Sequence, residues 1–509
     1  MIARRLAAIA AALVLVLPLS GCVTAFLPQQ QGAVSTPTGE EVPAELEGFY
    51  SQVLEWSACE GDFQCATAEA PLDWSDPGRS TIDLALIRST ATGASTGSLL
   101  VNPGGPGGSG YNFVRDSVDY AVSERLRASF DVVGFDPRGV NQSAAVSCYD
   151  SPKELDAYLF DLPQSPAGSP DYLADLEESS AVFGQACLEN TGELLGFVDT
   201  VSAARDLDLL RAILGDDKLN YLGYSYGTLL GATYADLFPE NTGRLVFDGA
   251  VDPATTEFEV SATQAQGFES ALRAFLADCL TTAECAFDGT VDEEMVAVRA
   301  LLDSLDASPL GATDGRQLGS GAMFYAIILP LYNSDNWVYL NDLFAGVLGG
   351  QADYALQLAD SYFARTADGT YSDNSTEAFI AINCLDYRSD PAAESLEAEA
   401  AELARLAPVF GPSMSYGALG CANWPFPSTR ERVEIEAKGS APILVVGTTN
   451  DPATPYVWAR SLAEQLENGH LVTYDGEGHT AYNKSNACIN DAVDGFLLDG
   501  DVPETDPLC

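Results

Sequence analysis

The sequence predicts a mainly parallel α/β sheet with helices on both faces and a helical domain inserted into it. Three observations carry this. Between Ile82 and Gly249, apolar strand-like runs alternate with helical patterns, the order that builds a parallel sheet. From Asp252 to about Arg432 helical periodicity takes over, and strands resume at Ala441 to Gly447 and Leu471 to Tyr474. Finally, Leu219-Asn-Tyr-Leu-Gly-Tyr-Ser-Tyr-Gly-Thr228 reads as strand, sharp turn and helix with a serine at the apex. Such a turn lifts Ser225 Oγ clear of the backbone, and Gly223 and Gly227 remove the Cβ atoms that would clash where strand and helix meet.

In chain order, Arg4 and Arg5 precede the apolar run Leu6 to Leu19, too short to span a bilayer and shaped like an export signal over residues 1–21. It ends in Leu19-Ser20-Gly21-Cys22, which resembles a bacterial lipobox. The expectation is cleavage before Cys22, lipidation of its thiol, and anchorage to the outer face of the cell membrane. Residues 22–45 are polar and aperiodic, a flexible tether with a coil reach of roughly 25–30 Å.

The first part of the core, residues 46–251, opens with extended runs at Cys65 to Trp74 and Ile82 to Arg88. Ser98-Leu-Leu-Val-Asn-Pro-Gly-Gly-Pro-Gly-Gly-Ser-Gly110 is a buried strand running into a glycine-rich loop. That loop lacks the Lys-Ser/Thr of a P-loop and the spacing and ribose acid of a dinucleotide site. It suits an oxyanion loop, where absent side chains let a backbone N–H reach a substrate carbonyl. Phe130 to Gly139 is a further strand and turn, and Ala203 to Leu214 an amphipathic helix that ends at Gly215 and leads to Ser225. A helical cap over 252–432 and a second core part over 433–509 complete the chain.

Among 509 residues, 74 are acidic and 24 basic, a formal charge of −50. Such a surface repels nucleic acid and anionic lipid headgroups, which excludes polyanion binding as a function class. The chain has eleven cysteines. With Cys22 set aside, the rest fall into the neighbouring couples Cys59/Cys65, Cys148/Cys187, Cys279/Cys285, Cys384/Cys421 and Cys488/Cys509. Export favours disulfides, with pairing by proximity as the expectation. There is no Cys-x-x-Cys and no Cys/His cluster, so neither metal nor cofactor is expected.

A serine nucleophile needs a base, and the chain has two histidines. Ligands of parallel sheets gather at the carboxyl ends of strands. His470 precedes the strand Leu471 to Tyr474 and is expected in a surface turn; His479 follows it and is the candidate base. Asp451, after the strand ending at Val446, is the candidate partner of the imidazole, with Asp248 as its rival. The order Ser225, Asp451, His479 is that of hydrolases built on a parallel sheet.

Asn102-Pro-Gly-Gly-Pro-Gly-Gly-Ser-Gly, Gly223-Tyr-Ser-Tyr-Gly-Thr, Asn450-Asp-Pro-Ala-Thr-Pro and Gly476-Glu-Gly-His together resemble the tripeptidyl and prolyl aminopeptidase branch of the α/β hydrolases. The likeness runs from about residue 59 to the end and is strongest to exported actinobacterial lipoprotein peptidases. The tail Cys488 to Cys509 is similar to that group's C-terminal segment. The resemblance implies an α/β-hydrolase fold with a helical cap, the triad named above, and an oxyanion hole from the N–H groups of Gly105 and Tyr226. Pro103 stands where prolyl aminopeptidases usually carry histidine, which favours the tripeptidyl side.

The resulting expectation is a serine exopeptidase acting on peptides or proteins with free N-termini. An exopeptidase must locate the chain end, and a buried carboxylate recognises an ammonium strongly. Glu257, Glu259 and Asp386 are the candidate acids. The alternatives are a carboxylesterase with the same triad and a catalytically idle binding protein.

Overall fold

The computed structural model describes residues 33–428 and 430–509. The export signal and Cys22 lie outside these residues. Nine strands form the main sheet among them: β1 (Ser57–Cys59), β2 (Phe63–Pro71), β3 (Thr81–Ser89), β4 (Ser98–Asn102), β5 (Asp131–Phe135), β6 (Leu219–Tyr224), β7 (Thr242–Asp248), β10 (Ile443–Asn450) and β11 (Gly469–Glu477). A small hairpin, β8 (Leu310–Gly311) with β9 (Gln317–Leu318), sits apart. The order in the main sheet is β1-β2-β3-β5-β4-β6-β7-β10-β11. The pairs from β1 to β5 across β2 and β3 are antiparallel, and every pair from β5 through β11 is parallel. This is the α/β-hydrolase arrangement.

Burial explains the two strand textures in the sequence. β3 alternates exposed and buried residues over its first half because it lies toward the antiparallel margin, whereas β4 is buried throughout because helices cover both faces there. On one face, the helix Thr200–Leu214 and the helix Tyr226–Leu237 pack Leu207, Leu210, Leu230 and Tyr234 against Tyr221 and Phe247. On the other, Tyr111, Val114, Ile489, Val493 and Phe496 cover Leu99, Leu222 and Val446. Removing each such large apolar side chain from water contributes about 1.5–3 kcal/mol.

Between β7 and β10 the chain is helical apart from the small hairpin, and this region has a core of its own around Phe268, Phe275, Leu302, Ile327 and Phe344. A second excursion, between β5 and the helix Thr200–Leu214, joins it. The sequence boundaries assigned residues 152–191 to the core. The helices Pro152–Phe160 and Pro170–Thr191 bury Leu155, Phe183 and Cys187 in the main core and also reach the inserted region: Asp156 receives a bidentate contact from Arg365 (2.7 and 2.9 Å), and Phe183 meets Trp424. The five disulfides join the cysteines as neighbouring couples, Cys59–Cys65, Cys148–Cys187, Cys279–Cys285, Cys384–Cys421 and Cys488–Cys509.

The expected tether needs correction from residue 33 onward. Val34 bridges Glu55, Thr38 N–H donates to Ala212 O (2.9 Å), and Glu40 pairs with the buried Arg211 guanidinium at 2.8 Å. Arg211 also binds Asp208 at 2.9 Å. A buried guanidinium requires more than one anionic or carbonyl partner, and Glu40 supplies one, which straps the segment to the core.

Candidate functional site

At the end of β6 the backbone turns sharply through Ser225, whose φ of 55° and ψ of −125° are unusual for a residue with a side chain. The turn closes because its neighbours are glycines: a Cβ on Gly223 would lie 2.4 Å from Gly227 O, and one on Gly227 would lie 2.8 Å from Asn102 Oδ1. Ser225 occupies the N-cap position of the helix Tyr226–Leu237, yet its hydroxyl makes no capping bond. It is held instead by its backbone, Ser225 N–H donating to Asp248 O at 2.9 Å.

The glycine-rich loop after β4 lies against this turn. A Cβ on Gly104 would come within 2.8 Å of Ser225 Cβ and 3.1 Å of Tyr226 N. Gly104 N–H is committed to Asn102 Oδ1 (3.0 Å), which leaves Gly105 N–H as the next donor of the loop. Tyr226 N–H, at the first turn of its helix, has no carbonyl four residues back to bond. Tyr226, one of the two donors expected from the resemblance, follows Ser225 directly at the positive end of a helix, and Gly105, the other, follows the Gly104 that packs on the turn.

His479 follows β11, and its Cε1 lies 3.2 Å from where a Cβ on Gly249 would stand, one residue after the Asp248 carbonyl that holds Ser225. Its Nδ1 is 3.0 Å from both oxygens of Asp451, whose side chain is fully buried. Asp451 also accepts from Ala453 N–H (2.9 Å), Thr454 N–H (2.8 Å), Thr454 Oγ1 (3.1 Å) and Thr480 N–H (3.1 Å). A carboxylate so surrounded by donors is an acceptor only, so the ring proton sits on Nδ1 and Nε2 is free to accept. Asp248, the rival, receives Ala481 N–H and Tyr482 N–H (2.8–3.0 Å). It anchors the loop behind His479 and does not bond the ring. Burial pushes its carboxyl above the usual range, opposed by Lys484.

His470 is placed differently from the expected surface turn. It is the second residue of β11, opposite Leu444 and half-buried, at the amino end of the strand and so at the far edge of the sheet from His479.

The three candidate acids separate. Glu259 is exposed, and its carboxylate accepts from Thr256 N–H (2.8 Å) and Thr256 Oγ1 (2.9 Å) while its own N–H donates to Thr256 Oγ1. This is a capping box, which engages Glu259 at the start of its own helix. Asp386 is buried, and both its oxygens are taken by Thr200, one by the N–H (3.0 Å) and one by the hydroxyl; burial pushes its carboxyl up to about 6. Glu257, in the first turn of the helix Glu257–Cys279, is half-buried, and burial raises its carboxyl too. It makes no ion pair among the described residues.

Two partners of the histidine escaped the sequence reading. Thr454 Oγ1 lies 3.1 Å from Nδ1, and its spacing three residues after Asp451 is a local signal that could have been read. Tyr332, at the end of the helix Ser320–Leu331, accepts His479 N–H at its carbonyl (2.8 Å), and its ring meets the imidazole edge to face at 5.3 Å. Nothing local marks Tyr332, because the contact joins residues on separate domains. A groove of about 1180 Å³ lined by Tyr149, Tyr158, Phe160, Tyr172 and Arg316 contains none of the residues around Ser225 and no acid–base pair comparable to Asp451–His479. Among the described residues no cluster of His, Cys, Asp and Glu is arranged to hold a metal, and no helix is long and apolar enough to cross a membrane.

Residues 407–509 match the family described as TAP-like protein. The chain is 36% identical over 482 residues to the serine protease Hip1 of Mycobacterium tuberculosis, covering 90% of this chain and 91% of that one. It is 37% identical over 509 residues to a protein of the same organism named carboxylesterase B (97% and 95% covered). It is 31% identical over 474 residues to tripeptidyl aminopeptidase of Streptomyces lividans (90% and 86% covered). Likeness at this level over nearly the whole length, joined to the sheet order and the Ser225 turn, identifies the chain as a member of the TAP-like family of α/β hydrolases, a serine hydrolase of the peptidase kind.

Proposed function

We propose that this chain is an exported, lipid-anchored aminopeptidase that releases short peptides, tripeptides in the first instance, from free N-termini. The observation that carries it is the Asp451–His479 pair at the same sheet edge as a half-buried turn serine whose hydroxyl makes no capping bond. Ser225 Oγ attacks the scissile carbonyl carbon while its proton passes to His479 Nε2. The carbonyl oxygen, now an anion, is held by the N–H groups of Gly105 and Tyr226. His479 gives the proton to the leaving nitrogen, the C–N bond breaks, and the shortened chain departs with a new amino terminus. Water then adds to the acyl-enzyme, its proton taken by His479 and returned to Ser225 Oγ, and the short peptide leaves as a carboxylate.

Glu257 is the acid we assign to the substrate ammonium. It starts the first helix after β7, and among the candidate carboxylates it is the half-buried one, neither held in a capping box nor bonded to Thr200, with the Ser389 hydroxyl beside it. A like charge nearby, Glu399, adds to burial in raising its carboxyl, a setting that a bound cation relieves. The test compares a free tripeptide reporter with its N-acetylated twin. The proposal requires strong preference for the free amine in the wild type and its loss in Glu257→Gln; equal cleavage of both by the wild type rules out an aminopeptidase. Anchorage is tested by membrane partition of the full chain and of Cys22→Ser, and an unmodified mature N-terminus downstream of residue 22 refutes it. The 37% identity to carboxylesterase B favours a second reading, acyl-ester hydrolysis by the same residues, which turnover of acyl esters in preference to tripeptides would support.

A further inference from the structure

Tyr226 supplies one of the two oxyanion donors through its backbone, and its side chain leads elsewhere. Its hydroxyl is 2.5 Å from Thr200 Oγ1, and Thr200 Oγ1 in turn bonds Asp386 Oδ2. Asp386 Oδ1 accepts Thr200 N–H at 3.0 Å. All three residues are buried, at 6%, 3% and 5% exposure. Thr200 is the first residue of the helix Thr200–Leu214, and Asp386 is the last residue of the helix Ser375–Asp386. The other end of that second helix abuts the oxyanion loop, where a Cβ on Gly107 would lie 2.6 Å from Ser375 O and 3.0 Å from Phe379 N.

A hydroxyl carries one proton, so the direction of this chain is determined by the carboxyl. With Asp386 ionised, Thr200 N–H and O–H both donate to it, and Tyr226 O–H donates to Thr200 Oγ1; every group is satisfied. A carboxylate is unfavourable at the end of its own helix, but here it meets the amino end of the helix Thr200–Leu214, where its charge is welcome. Take the carboxylate away and Thr200 loses its acceptor. Its hydroxyl can then turn toward Tyr226, and the phenol is left with a buried proton and no other acceptor among the described residues.

From this geometry we infer that Asp386 is a positioning residue for the oxyanion hole, acting through Thr200 and the Tyr226 hydroxyl on the Tyr226 N–H. The same carboxylate that ties the inserted domain to the core fixes the residue after the nucleophile. Each of its oxygens already accepts one bond from Thr200, so its first commitment is to the core helix. The groups facing it are Asp199, itself paired with Arg430 at 2.7 Å, together with Arg432, Tyr226 and Tyr387. The inference rests on the Ser225-centred mechanism above.

The test uses Asp386→Asn, Tyr226→Phe, their double variant, Thr200→Val and Thr200→Ser, each assayed on a free tripeptide anilide and on a small uncharged acyl ester. A displaced oxyanion donor is expected to lower kcat about tenfold on both substrates, short of the loss of about 10²–10³ for a donor removed outright. KM for the tripeptide changes little, and affinity for a peptidyl boronate falls alongside kcat/KM. Because one chain of bonds carries the effect, the double variant should be no worse than either single one within about twofold, and Thr200→Ser should retain what Thr200→Val loses. Loss confined to the tripeptide overturns the inference and makes Asp386 an ammonium ligand; multiplicative losses, or an unimpaired Tyr226→Phe, overturn it as well. If Asp386→Asn fails to fold, Tyr226→Phe and the two Thr200 variants decide. Failure of the mechanism itself is separately visible as turnover by Ser225→Ala.

Discussion

Replacing Asp451 by Asn tests the site most sharply, because the change is nearly isosteric and the structure specifies its consequences. The carboxylate oxygens accept from four groups besides the imidazole. An amide keeps one acceptor. If its oxygen stays with Ala453 and Thr454 N–H, its NH₂ faces Thr480 N–H and His479 Nδ1. Two consequences follow. One buried donor loses its partner, costing about 1–3 kcal/mol of stability, and the amide donates to Nδ1. The imidazole then carries its proton on Nε2, the nitrogen that must accept from Ser225. The equivalent change in a serine protease of another fold lowers kcat about 10⁴-fold, about 5 kcal/mol of transition-state stabilisation. We therefore expect a comparable fall in kcat for Asp451→Asn, a modest change in KM, and thermal unfolding lowered by several degrees. Asp248→Asn is the control: it disturbs the backbone at Ala481 and Tyr482, costs stability, and leaves activity within about tenfold. Steady-state kinetics on one reporter with calorimetry on all three proteins suffices. Activity of Asp451→Asn within tenfold of wild type, or a deader Asp248→Asn, would falsify the assignment of the acid.

His479→Ala should lose several orders of magnitude in kcat and His470→Ala almost none, since the two residues sit at opposite ends of β11; the reverse result would contradict the strand placement. Gly104→Ala, at φ 96° and with a Cβ 2.5 Å from Tyr224 O, should abolish reaction with a serine-directed phosphonate while the far-ultraviolet spectrum stays native; normal labelling would sink it. Asp386 has a carboxyl raised from 3.8 to about 6, so between those pH values the folded chain keeps a proton that the unfolded chain has lost. Its contribution to stability is full below pH 4, falls as pH rises toward 6, and is flat above, a change of at most about 3 kcal/mol. The difference in unfolding free energy between wild type and Asp386→Asn, followed from pH 4 to 7, should decline and level off; a flat difference contradicts the shift.

The sequence by itself determined what local chemistry controls. Gly223 and Gly227 around Ser225 dictate the turn, because no side chain fits where β6 and its helix meet. The histidine after β11 is legible as the one at the active edge, because alternating strands and helices imply a parallel sheet, and a parallel sheet has one edge where strands end. The disulfides join neighbouring cysteines in chain order, as expected from proximity, although the separations run from 6 to 39 residues and only the fold brings the longer couples together. What only tertiary structure decided are contacts between groups far apart in the chain. Glu259 looked available for a substrate, yet three residues of helix start claim it for Thr256. Asp248 and Asp451 both follow strands, and only the packing of the 479–482 loop sends one to the backbone and the other to the imidazole. Asp386 finds Thr200 across 186 positions, and Tyr332 reaches His479 from another domain. Residues 33–45 read as a tether by composition, but Arg211 lies buried and needs Glu40. Periodicity and turn residues record how each segment folds locally; which polar groups meet is fixed by desolvation, since each buried donor or charge must find a partner wherever the chain supplies one.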